Sequence, residues 1–405
     1  MTAVAVTGLG VLAPNGVGTE EYWAATLSGR SAIGPLTRFD ASTHVCPLAG
    51  EITGFDAEKH LPARLLPQTD RMTNLALVAA EEAMDESGID VAALGDHSVG
   101  VVTASAAGGF EFGQYELQKL WSKGGSHVSA YQSFAWFYAV NTGQISIRAG
   151  LRGQGGVLIS EQAGGLDAAA TARRALTREH EPARAMITGG FDSAICPWGW
   201  AAYGTLATIS RSDDPERAYL PFDERAGGHV PGEGGAALLL EPPESALERG
   251  CRPYGLISGH ASVFDPDGSA GAVAHCARSA LDDAGLVPGD VDLVLADAAG
   301  TPAQDRSEAE AITDVFGARA VPVTAPKTML GRLRSGGSPV DLATALLSLR
   351  DQVVPPTVNV DPWPGYHLDL VVGRARAQRV GSVLVIARGH GGFVSTMVVE
   401  EARHG

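Results

Sequence analysis

Short apolar runs alternate with alanine-rich segments along the whole chain, and this alternation restricts the fold more than any single motif. Such runs are typical of strands buried on both faces of a sheet, and the segments between them have helical periodicity. The pattern predicts an α/β protein with largely buried sheets. Strands are predicted at 3–7, 98–103, 157–160, 185–188, 236–240, 254–259, 291–295 and 383–387. Helices are predicted at 73–87, 166–176, 271–284, 308–316 and 340–352.

The two halves of the chain repeat these features in the same order. Each half opens with a strand that ends in glycine, A-V-A-V-T-G at 3–8 and Y-G-L-I-S-G at 254–259. Each later has a strand that runs into a glycine-rich turn, A-M-I-T-G-G-F at 185–191 and V-L-V-I-A-R-G-H-G-G-F at 383–393. The repetition predicts a duplicated α/β unit with two domains, 1–245 and 246–405. Pro242, Pro243 and Gly250 supply turn residues for the crossover.

The charge balance argues against nucleic acid as a partner. The 405 residues carry a formal net charge of −16 without a long basic run, whereas phosphate binding needs a basic face. An acidic carrier protein would also be repelled by the chain as a whole, so it could dock only on another subunit or on a local patch. Arg173, Arg174, Arg178 and Arg184 form a candidate patch, although a solvated helix face is the favoured interpretation.

The cysteines and the most apolar segment indicate a soluble, cytoplasmic protein without a metal site. Cys46, Cys196, Cys251 and Cys276 lie far apart and lack C-x-x-C spacing, so we expect buried thiols rather than disulfides or zinc ligands. The N-terminus lacks the basic region and cleavage site of a signal peptide. The most apolar segment, 134–140, is much shorter than the ~20 residues that cross a bilayer, so no membrane association is expected.

The segment 155–170, G-G-V-L-I-S-E-Q-A-G-G-L-D-A-A-A, reads as a buried strand that runs straight into a helix of small residues. Many enzymes mount a nucleophile at such a turn, but its apex here is Gln162, whose amide is a poor nucleophile. The cysteines give no obvious replacement. Cys276 adjoins His275, but sequence neighbours point about 100° apart on a helix and do not pair. Cys196 follows a strand and could be buried beside a pocket.

The motif G-L-G-V-L-A at 8–13 follows a strand and matches the dinucleotide fingerprint G-x-G-x-x-A. Such a motif must open a helix. Pro14, Asn15 and Gly16 come next and would break one, so a tight structural loop is the favoured interpretation.

Two sets of charged residues each have two interpretations. The segment 221–236 would suit a charged network beneath a site, and an ordinary surface turn fits it about equally well. Lys327 and Arg332 follow an apolar strand, where basic side chains can bind an anion or polarise a carbonyl; their position alone favours pairing with Asp or Glu. The network within 221–236 would consist of Asp223, Arg225, His229 and Glu233.

Six segments, in family order, resemble ketosynthases of the thiolase-like fold from end to end. Specifically, they resemble the chain length factor, or ketosynthase beta subunit, of bacterial aromatic polyketide synthases, which make antibiotics and pigments. The resemblance implies a duplicated, layered αβαβα fold. The segments are V-T-G-L-G at 6–10, E-Q-A-G-G-L-D at 161–167, P-F-D-E-R-A-G-G-H-V-P-G-E-G-G-A at 221–236, A-G-T-P-A-Q-D at 299–305, P-K-T-M-L-G-R at 326–332 and G-H-G-G-F at 389–393.

The catalytic positions of the resembled family imply that this chain does not condense. In active ketosynthases the turn at Gln162 holds cysteine, at a helix N-terminus that favours the thiolate. Active ketosynthases have histidines at the positions of Asp297 and Arg332. Of the family's catalytic residues, this chain retains only the lysine, as Lys327. An amide cannot take an acyl chain, and a carboxylate would repel the enolate oxygen. In the family this glutamine has been linked to decarboxylation of malonyl-carrier protein, which would generate an acetyl primer.

The resemblance implies a heterodimer with a catalytic ketosynthase alpha subunit, and a tunnel at its interface that receives the growing poly-β-ketone. The chain would arrive on a phosphopantetheinyl acyl carrier protein, and no cofactor or metal is implied. The tunnel gates fall at Phe110, Gly113 and Leu117, which share one helical face, with Trp198 a weaker candidate. Glycine and leucine leave room in the tunnel, so we expect a long product of about 20 carbons.

The segment 130–143 packs large apolar side chains close together. Such density suits an obligate interface, although a buried helix would look similar. The resemblance favours the interface with the catalytic ketosynthase, through Phe134, Trp136, Phe137 and Tyr138.

Two other functions stay open. An autonomous malonyl-thioester decarboxylase would use Gln162, Cys196 or Lys327. A purely structural scaffold would leave product length independent of the side chain at position 113.

Overall fold

A 12-stranded mixed sheet organises the protein, and the computed structural model of the chain describes residues 2–402. The strands are β1 (Val4–Ala13), β2 (Gly16–Val17), β3 (Ile33–Pro35), β4 (Leu48–Gly50), β5 (Val99–Ala104), β6 (Gly155–Leu158), β7 (Ala185–Asp192), β8 (Gly234–Glu241), β9 (Gly255–Phe264), β10 (Leu293–Leu295), β11 (Pro322–Thr324), β12 (Val353–Val354), β13 (Asp369–Leu370), β14 (Arg376–Ala377), β15 (Ser382–Gly389) and β16 (Phe393–Glu400). The helices are α1 (Thr19–Leu27), α2 (Ala57–His60), α3 (Arg71–Ser87), α4 (Val91–Leu94), α5 (Phe110–Lys123), α6 (Gln132–Ala135), α7 (Val140–Ala149), α8 (Gly164–Thr177), α9 (Pro197–Tyr203), α10 (Pro243–Glu248), α11 (Ala270–Ala284), α12 (Pro302–Phe316) and α13 (Gly337–Asp351).

The sheet consists of two halves with the same strand pattern. One half has the order β6-β5-β7-β8-β1 and the other β13-β11-β10-β15-β16-β9. In the first, β6, β5 and β7 are parallel while β8 and β1 pair antiparallel; in the second, β11, β10 and β15 are parallel while β16 and β9 pair antiparallel. This is the duplicated α/β unit that the sequence predicted. Because β1 and β9 join the halves into one sheet, a division into two domains near residue 245 stays a prediction.

Helices form three layers around the two half-sheets. α8 and α13 lie between them: α8 contacts β5, β7 and β16, and α13 contacts β8 and β15. α13 is buried from its first residue, Gly337, to Leu349. α3 and α7 cover the outer face of the first half, and α11 and α12 that of the second. The layers therefore follow the order αβαβα, and the two central helices both begin beside Gln162.

The predicted strands and helices are all present, with differences at their ends. The sequence did not predict β16, which pairs with both β15 and β9 and begins at Phe393, the last residue of the glycine-rich G-H-G-G-F turn. In the part of the chain that the structure describes, no helix is both long and apolar enough to cross a bilayer.

The glycine motif at 8–13 lies inside β1, so the expected loop is wrong. A Cβ on Gly8 would lie 1.9 Å from the carbonyl oxygen of Ala83, and one on Gly10 would lie 2.0 Å from that of Ala79. Both carbonyls belong to α3. Glycine is required at both positions because the helix packs directly on the strand backbone. Close packing and a tight turn both select glycine, so the sequence alone does not distinguish them.

The arginine patch is only partly a solvated helix face. Arg174, Arg178 and Arg184 are exposed, as expected, but Arg173 is 1% exposed. Its guanidinium donates to the Asp283 carboxylate at 2.6 Å and to a carbonyl of β9 at 2.5 Å. Arg173 therefore links α8 to the second half of the fold and is not available to a partner.

Candidate functional site

The turn that holds Gln162 is built between β6 and α8. The chain leaves β6, makes a short 3-10 turn at Glu161–Ala163 and enters α8. Glu161 has a left-handed backbone with φ of 51°, a conformation that its surroundings must hold in place. Its carboxylate accepts hydrogen bonds from the N–H groups of Gln162 (2.8 Å) and His390 (3.1 Å). The hairpin of β15 and β16 thus fixes the turn from the opposite half of the fold.

The Gln162 amide is buried and has no hydrogen-bond partner among the residues that the structure describes. The residue is 1% exposed, and both Oε1 and Nε2 are unpaired. The amide packs against Gly337, where a Cβ would lie only 2.3 Å from Nε2. It therefore lies at the N-termini of α8 and α13, whose partial positive charge favours an electron-rich ligand atom. An unpaired buried amide costs about 1–3 kcal/mol, and a ligand oxygen at this position would offset that cost.

Asp297 and Arg332 form a buried, bidentate ion pair. Arg332 Nη2 lies 3.0 Å from Asp297 Oδ1, and Nη1 lies 3.2 Å from Oδ2. The guanidinium also donates to the carbonyl groups of Asp297 (2.9 Å) and Arg388 (3.1 Å). Burial alone would raise the pKa of Asp297, but the charges of Arg332 and Lys327 outweigh it and hold the pKa below its usual range. Both side chains are therefore charged, and each is the main partner of the other.

Lys327 is paired with Asp341 of α13. Its Nζ lies 2.8 Å from Asp341 Oδ2 and also donates to the carbonyl of Ala296. Burial raises the pKa of Asp341 to about 6, and the Lys327 charge opposes that shift. Lys327 and Arg332 thus each pair with an aspartate, which is the interpretation that their position favoured.

A further buried carboxylate, Glu308 of α12, shapes the loop that carries Asp297. Its oxygens accept hydrogen bonds from the N–H groups of Asp297 (2.6 Å) and Ala298 (2.8 Å), and Ala298 has a left-handed φ of 51°. Burial, and then the Asp297 charge, raise the pKa of Glu308 to about 7. Sequence reasoning missed Glu308 and Asp341. The available signal was an acidic residue on the buried face of each helix.

The charged residues of 221–236 do not form one network. Glu233 is fully buried and pairs with Arg71 at 2.7 Å. Asp223 pairs with Arg225 at 2.5 Å, and the Arg225 side chain is exposed. A buried ion pair and a surface turn are therefore both present, in different parts of the segment.

His229 lies beside the Asp297–Arg332 ion pair. The backbone carbonyl of the next residue, Val230, accepts a hydrogen bond from the backbone N–H of Arg332 at 2.9 Å. Burial, and then the Arg332 charge, lower the pKa of His229 to about 3. The imidazole is therefore neutral at pH 7.

The cysteine side chains are poor nucleophiles in this structure. All four are unpaired; Cys46, Cys196 and Cys276 are buried and Cys251 is half-buried. Burial raises the pKa of Cys196 and that of Cys276 each to about 11, so both are thiols at neutral pH. Cys196 instead caps α9, where its Sγ accepts the Gly199 N–H at 3.4 Å. These observations weigh against an autonomous enzyme that uses Cys196.

The four expected gate residues lie together where α5 meets α9, and we call them the gate cluster. The ring centroids of Phe110 and Trp198 are 4.7 Å apart, and a Cβ on Gly113 would lie 3.4 Å from Trp198 Cζ3. Leu117 follows one turn later on α5 and is 36% exposed. The backbone N–H of Trp198 donates to Gln114 Oε1 at 2.6 Å, which connects α9 to α5.

An aromatic face, formed by Phe134, Trp136, Phe137 and Tyr138, adjoins the gate cluster. Trp136 and Phe137 are 48% and 40% exposed. The ring centroids of Phe137 and Tyr138 lie 4.3 Å apart, and the Trp136 Cβ lies 3.6 Å from the position of a Gly113 Cβ. Contiguous large apolar side chains in solvent mark an interaction surface.

The site contains paired buried charges and the unpaired amide of Gln162, and the turn between β6 and α8 holds this amide in place of a nucleophile. Among residues 2–402, no group of three or more His, Cys, Asp or Glu side chains is placed to hold a metal ion. The fold and the site together define a ketosynthase-like scaffold in which an amide stands at the turn between β6 and α8, and Asp297 and Arg332 are bound to each other in a buried ion pair.

Comparison with known proteins gives the family. The chain matches the models of the beta-ketoacyl synthase N-terminal domain over residues 1–246 and C-terminal domain over 251–361. It is 56% identical to the tetracenomycin polyketide synthase ketoacyl synthase beta subunit of Streptomyces glaucescens, over 99% of this chain and 98% of that protein. It is 52% identical to the actinorhodin polyketide putative beta-ketoacyl synthase 2 of Streptomyces coelicolor, over 98% of each chain.

Solved structures show the same fold. The ishigamide ketosynthase/chain length factor matches with a TM-score of 0.89 at 26% identity, over 99% of each chain. A beta-ketoacyl synthase from Burkholderia phymatum matches with a TM-score of 0.91 at 24% identity, over 100% of each chain. The chain belongs to the beta-ketoacyl synthase family and, within it, to the ketosynthase beta subunits of type II polyketide synthases. The expected thiolase-like fold is confirmed.

We expect Gln162→Cys to create a thiol at the turn without creating a condensing enzyme. The ion pair between Asp297 and Arg332 would still stand where the family resemblance implies two histidines, so no imidazole at those two positions would assist decarboxylation or stabilise the enolate. The measurement is mass spectrometry of carrier-bound products after the isolated variant is incubated with acetyl- and malonyl-carrier protein. The Gln162→Ala variant, which has no nucleophile at the turn, gives the background level of 3-oxoacyl product. Formation of a 3-oxoacyl thioester above that background would contradict the prediction.

Proposed function

We propose that this chain is the non-condensing subunit of a heterodimer that assembles an aromatic poly-β-ketone, and that it sets the length of that product. A catalytic ketosynthase alpha subunit would carry the acyl chain on its cysteine, and an acyl carrier protein would deliver the extender units. The observation that carries the proposal is twofold: the turn holds the amide of Gln162, and Asp297 and Arg332 are occupied by each other in a buried ion pair. This arrangement retains the ketosynthase fold and removes its covalent chemistry.

The chemistry of condensation supports this division of labour. The reaction needs a thioester held on sulfur and uncharged groups that stabilise a developing enolate. In this chain the amide of Gln162 cannot take an acyl group. The guanidinium of Arg332 is occupied by a carboxylate whose negative charge would oppose an enolate. The relatives named above are polyketide synthase subunits, and the matched ishigamide structure is of a ketosynthase/chain length factor.

The aromatic face and an open sheet edge support a subunit interface on one side of the molecule. β6 is the last strand of the sheet and pairs only with β5 among the strands described. Its Gly156 carbonyl accepts a hydrogen bond from Thr142 of α7 at 2.9 Å, and α7 begins two residues after Tyr138 of the aromatic face. An exposed edge and an apolar surface are both unfavourable in a free monomer, and a partner subunit would cover them together.

The gate cluster supports a role in product length. Gly113 contributes no side chain to the wall, and Leu117 is smaller than an aromatic residue, so neither position adds bulk beside Trp198. A bulkier wall would stop the growing chain earlier. From the small residues at two of the gate positions we infer a long product, of about 20 carbons.

Decarboxylation is a second candidate activity, favoured by the unpaired amide of Gln162. In malonyl-carrier protein the bond to the carboxylate would break, carbon dioxide would leave, and its electron pair would form the thioester enolate. The Nε2–H group could donate to the enolate oxygen beside the positive ends of α8 and α13. Water would then protonate the enolate carbon to give the acetyl primer.

A cytoplasmic location belongs to the same proposal. Polyketide assembly on carrier proteins needs soluble partners, and the unpaired cysteines suit a reducing compartment. The net charge of −16 would direct an acidic carrier protein to the partner subunit rather than to this chain.

We expect Gly113→Phe to shorten the polyketide. The new ring would have to occupy the space beside Trp198, because a Cβ at this position already lies 3.4 Å from Trp198 Cζ3. The measurement is the mass distribution of products from the co-expressed complex and carrier protein. Gly271→Phe is the control, since a Cβ at Gly271 meets nothing within 4 Å. Unchanged length in the Gly113 variant would favour a purely structural scaffold.

We expect Trp136→Asp to abolish co-purification with the catalytic ketosynthase. Placing a carboxylate in an apolar interface costs several kcal/mol, enough to lower the affinity by two or more orders of magnitude, by rough estimate. The measurement is the fraction of the tagged chain that retains its partner on size-exclusion chromatography. Leu247→Asp on α10 is the control, because Leu247 is 64% exposed but lies outside the aromatic face. Full retention of the partner by the Trp136 variant would place the interface elsewhere.

We expect Gln162→Ala to lower acetyl-carrier formation from malonyl-carrier protein by at least about tenfold, since one lost enolate donor costs 10²–10³ in related sites. The assay uses the intact complex with the partner's cysteine blocked by alkylation. The amide has no internal partner to lose, so the variant should fold. Gln118→Ala, at an exposed position on α5, is the control. Unchanged decarboxylation would leave Gln162 with a structural role alone.

A further inference from the structure

The gate-bearing helix α5 is capped by a residue that lies outside it. Its own N-cap, Gly109, has no side chain and makes no capping bond. Instead Oδ2 of Asp70 accepts a hydrogen bond from the Phe112 N–H, in the first turn of α5, at 2.8 Å. Oδ1 of the same carboxylate accepts the Met72 N–H at 2.9 Å and is the cap of α3. One carboxylate therefore satisfies orphan donors of two helices.

The contact is buried and close-fitting. Asp70 is 2% exposed, and a Cβ on Gly109 would lie 3.0 Å from the Asp70 Cβ and 2.3 Å from the carbonyl oxygen of Ala135. Any residue larger than glycine at 109 would push α5 away from Asp70. The sequence thus combines a buried acceptor at the N-cap of α3 with a glycine at the N-cap of α5, and the glycine lets the acceptor reach the first turn of α5.

The charged form of the buried Asp70 carboxylate is stabilised by the hydrogen bonds that it accepts from the two N–H groups. Burial raises the pKa of Asp70 to about 7; the N–H groups of Phe112 and Met72 oppose the rise, Glu111 adds to it, and Arg38 opposes it. Glu111 of α5 is itself held by Arg38 at 2.5 Å. The first turn of α5 is therefore fixed through the Asp70 bond and through this neighbouring ion pair.

The two helices joined by Asp70 differ in what they contact. α3 packs on β1 and β8 in the core of the first half-sheet. α5 lies at the surface and carries Phe110, Gly113 and Leu117 of the gate cluster, and the bonded Phe112 is adjacent to Gly113. A displacement of α5 relative to α3 would change the distance between Gly113 and Trp198, which is already at van der Waals contact for a Cβ.

We propose that Asp70 is a positioning residue for product length: by holding the first turn of α5 against α3, it fixes the gate cluster relative to the rigid core. The inference rests on the proposed role of the gate cluster. A simple stabilising cap would affect how much complex forms, whereas a positioning residue affects which lengths the formed complex makes.

The test variant is Asp70→Ser, assayed in the co-expressed complex with carrier protein. A serine hydroxyl can still cap α3, but it is too short to reach Phe112. Loss of one buried hydrogen bond makes a displaced α5 up to about tenfold more populated. We therefore expect products of other lengths to rise by up to about tenfold as a fraction of total polyketide. Asp90→Ser is the matched control, because Asp90 caps α4 through Ala92 and Ala93 and is exposed.

The outcomes separate this inference from the proposed function. If Gly113→Phe changes the length and Asp70→Ser leaves the distribution of the wild type, Asp70 is only a cap and the inference is wrong. If Gly113→Phe has no effect either, the proposed function itself fails. Asp70→Asn, which keeps the side-chain volume but offers one acceptor instead of two, serves as the second variant. Failure of both Asp70 variants to form a complex would show a role in folding and would also overturn the inference.

Discussion

The buried ion pair between Asp297 and Arg332 is the interaction that determines the chemistry of this site. Two charges are buried here, where each alone would cost several kcal/mol. They are tolerated because the geometry is bidentate and because backbone groups around Arg388 and Asp297 satisfy the remaining donors and acceptors. Removing either partner would leave the other charged and buried, at a cost of about 3–5 kcal/mol. The pair is therefore a structural element, and in the proposed function it is also the reason that this site would not assist condensation.

Contacts between the two halves of the fold explain why the turn at Gln162 can persist without a nucleophile. The turn at Gln162 is held by Glu161, whose carboxylate bonds to the β15–β16 hairpin, and the amide packs on Gly337 at the start of α13. These contacts connect the two halves of the duplicated fold. Losing the turn would therefore weaken the central helices α8 and α13, whatever chemistry the turn supports.

Sequence reasoning reached the architecture because the helices and strands carry strong periodic patterns. It reached Gln162 because a strand-to-helix turn of small residues is visible in the letters. The roles of Asp297 and Arg332 needed the family resemblance, since the two residues are 35 positions apart and nothing local pairs them. Glycines 8 and 10 were misread because direct contact between α3 and the β1 backbone depends on tertiary packing. Asp70, Glu308 and Asp341 were missed because their partners are backbone groups or side chains distant in sequence.

The central claim is that this chain shapes a shared cavity while its partner holds the growing acyl chain. Intact-mass and peptide mass spectrometry of both subunits, quenched during turnover with malonyl-carrier protein, tests it most directly. The account predicts acyl adducts on the cysteine of the partner subunit and an unmodified mass for this chain, Cys196 and Lys327 included. An acyl adduct on this chain that forms and disappears at the rate of product formation would contradict the account.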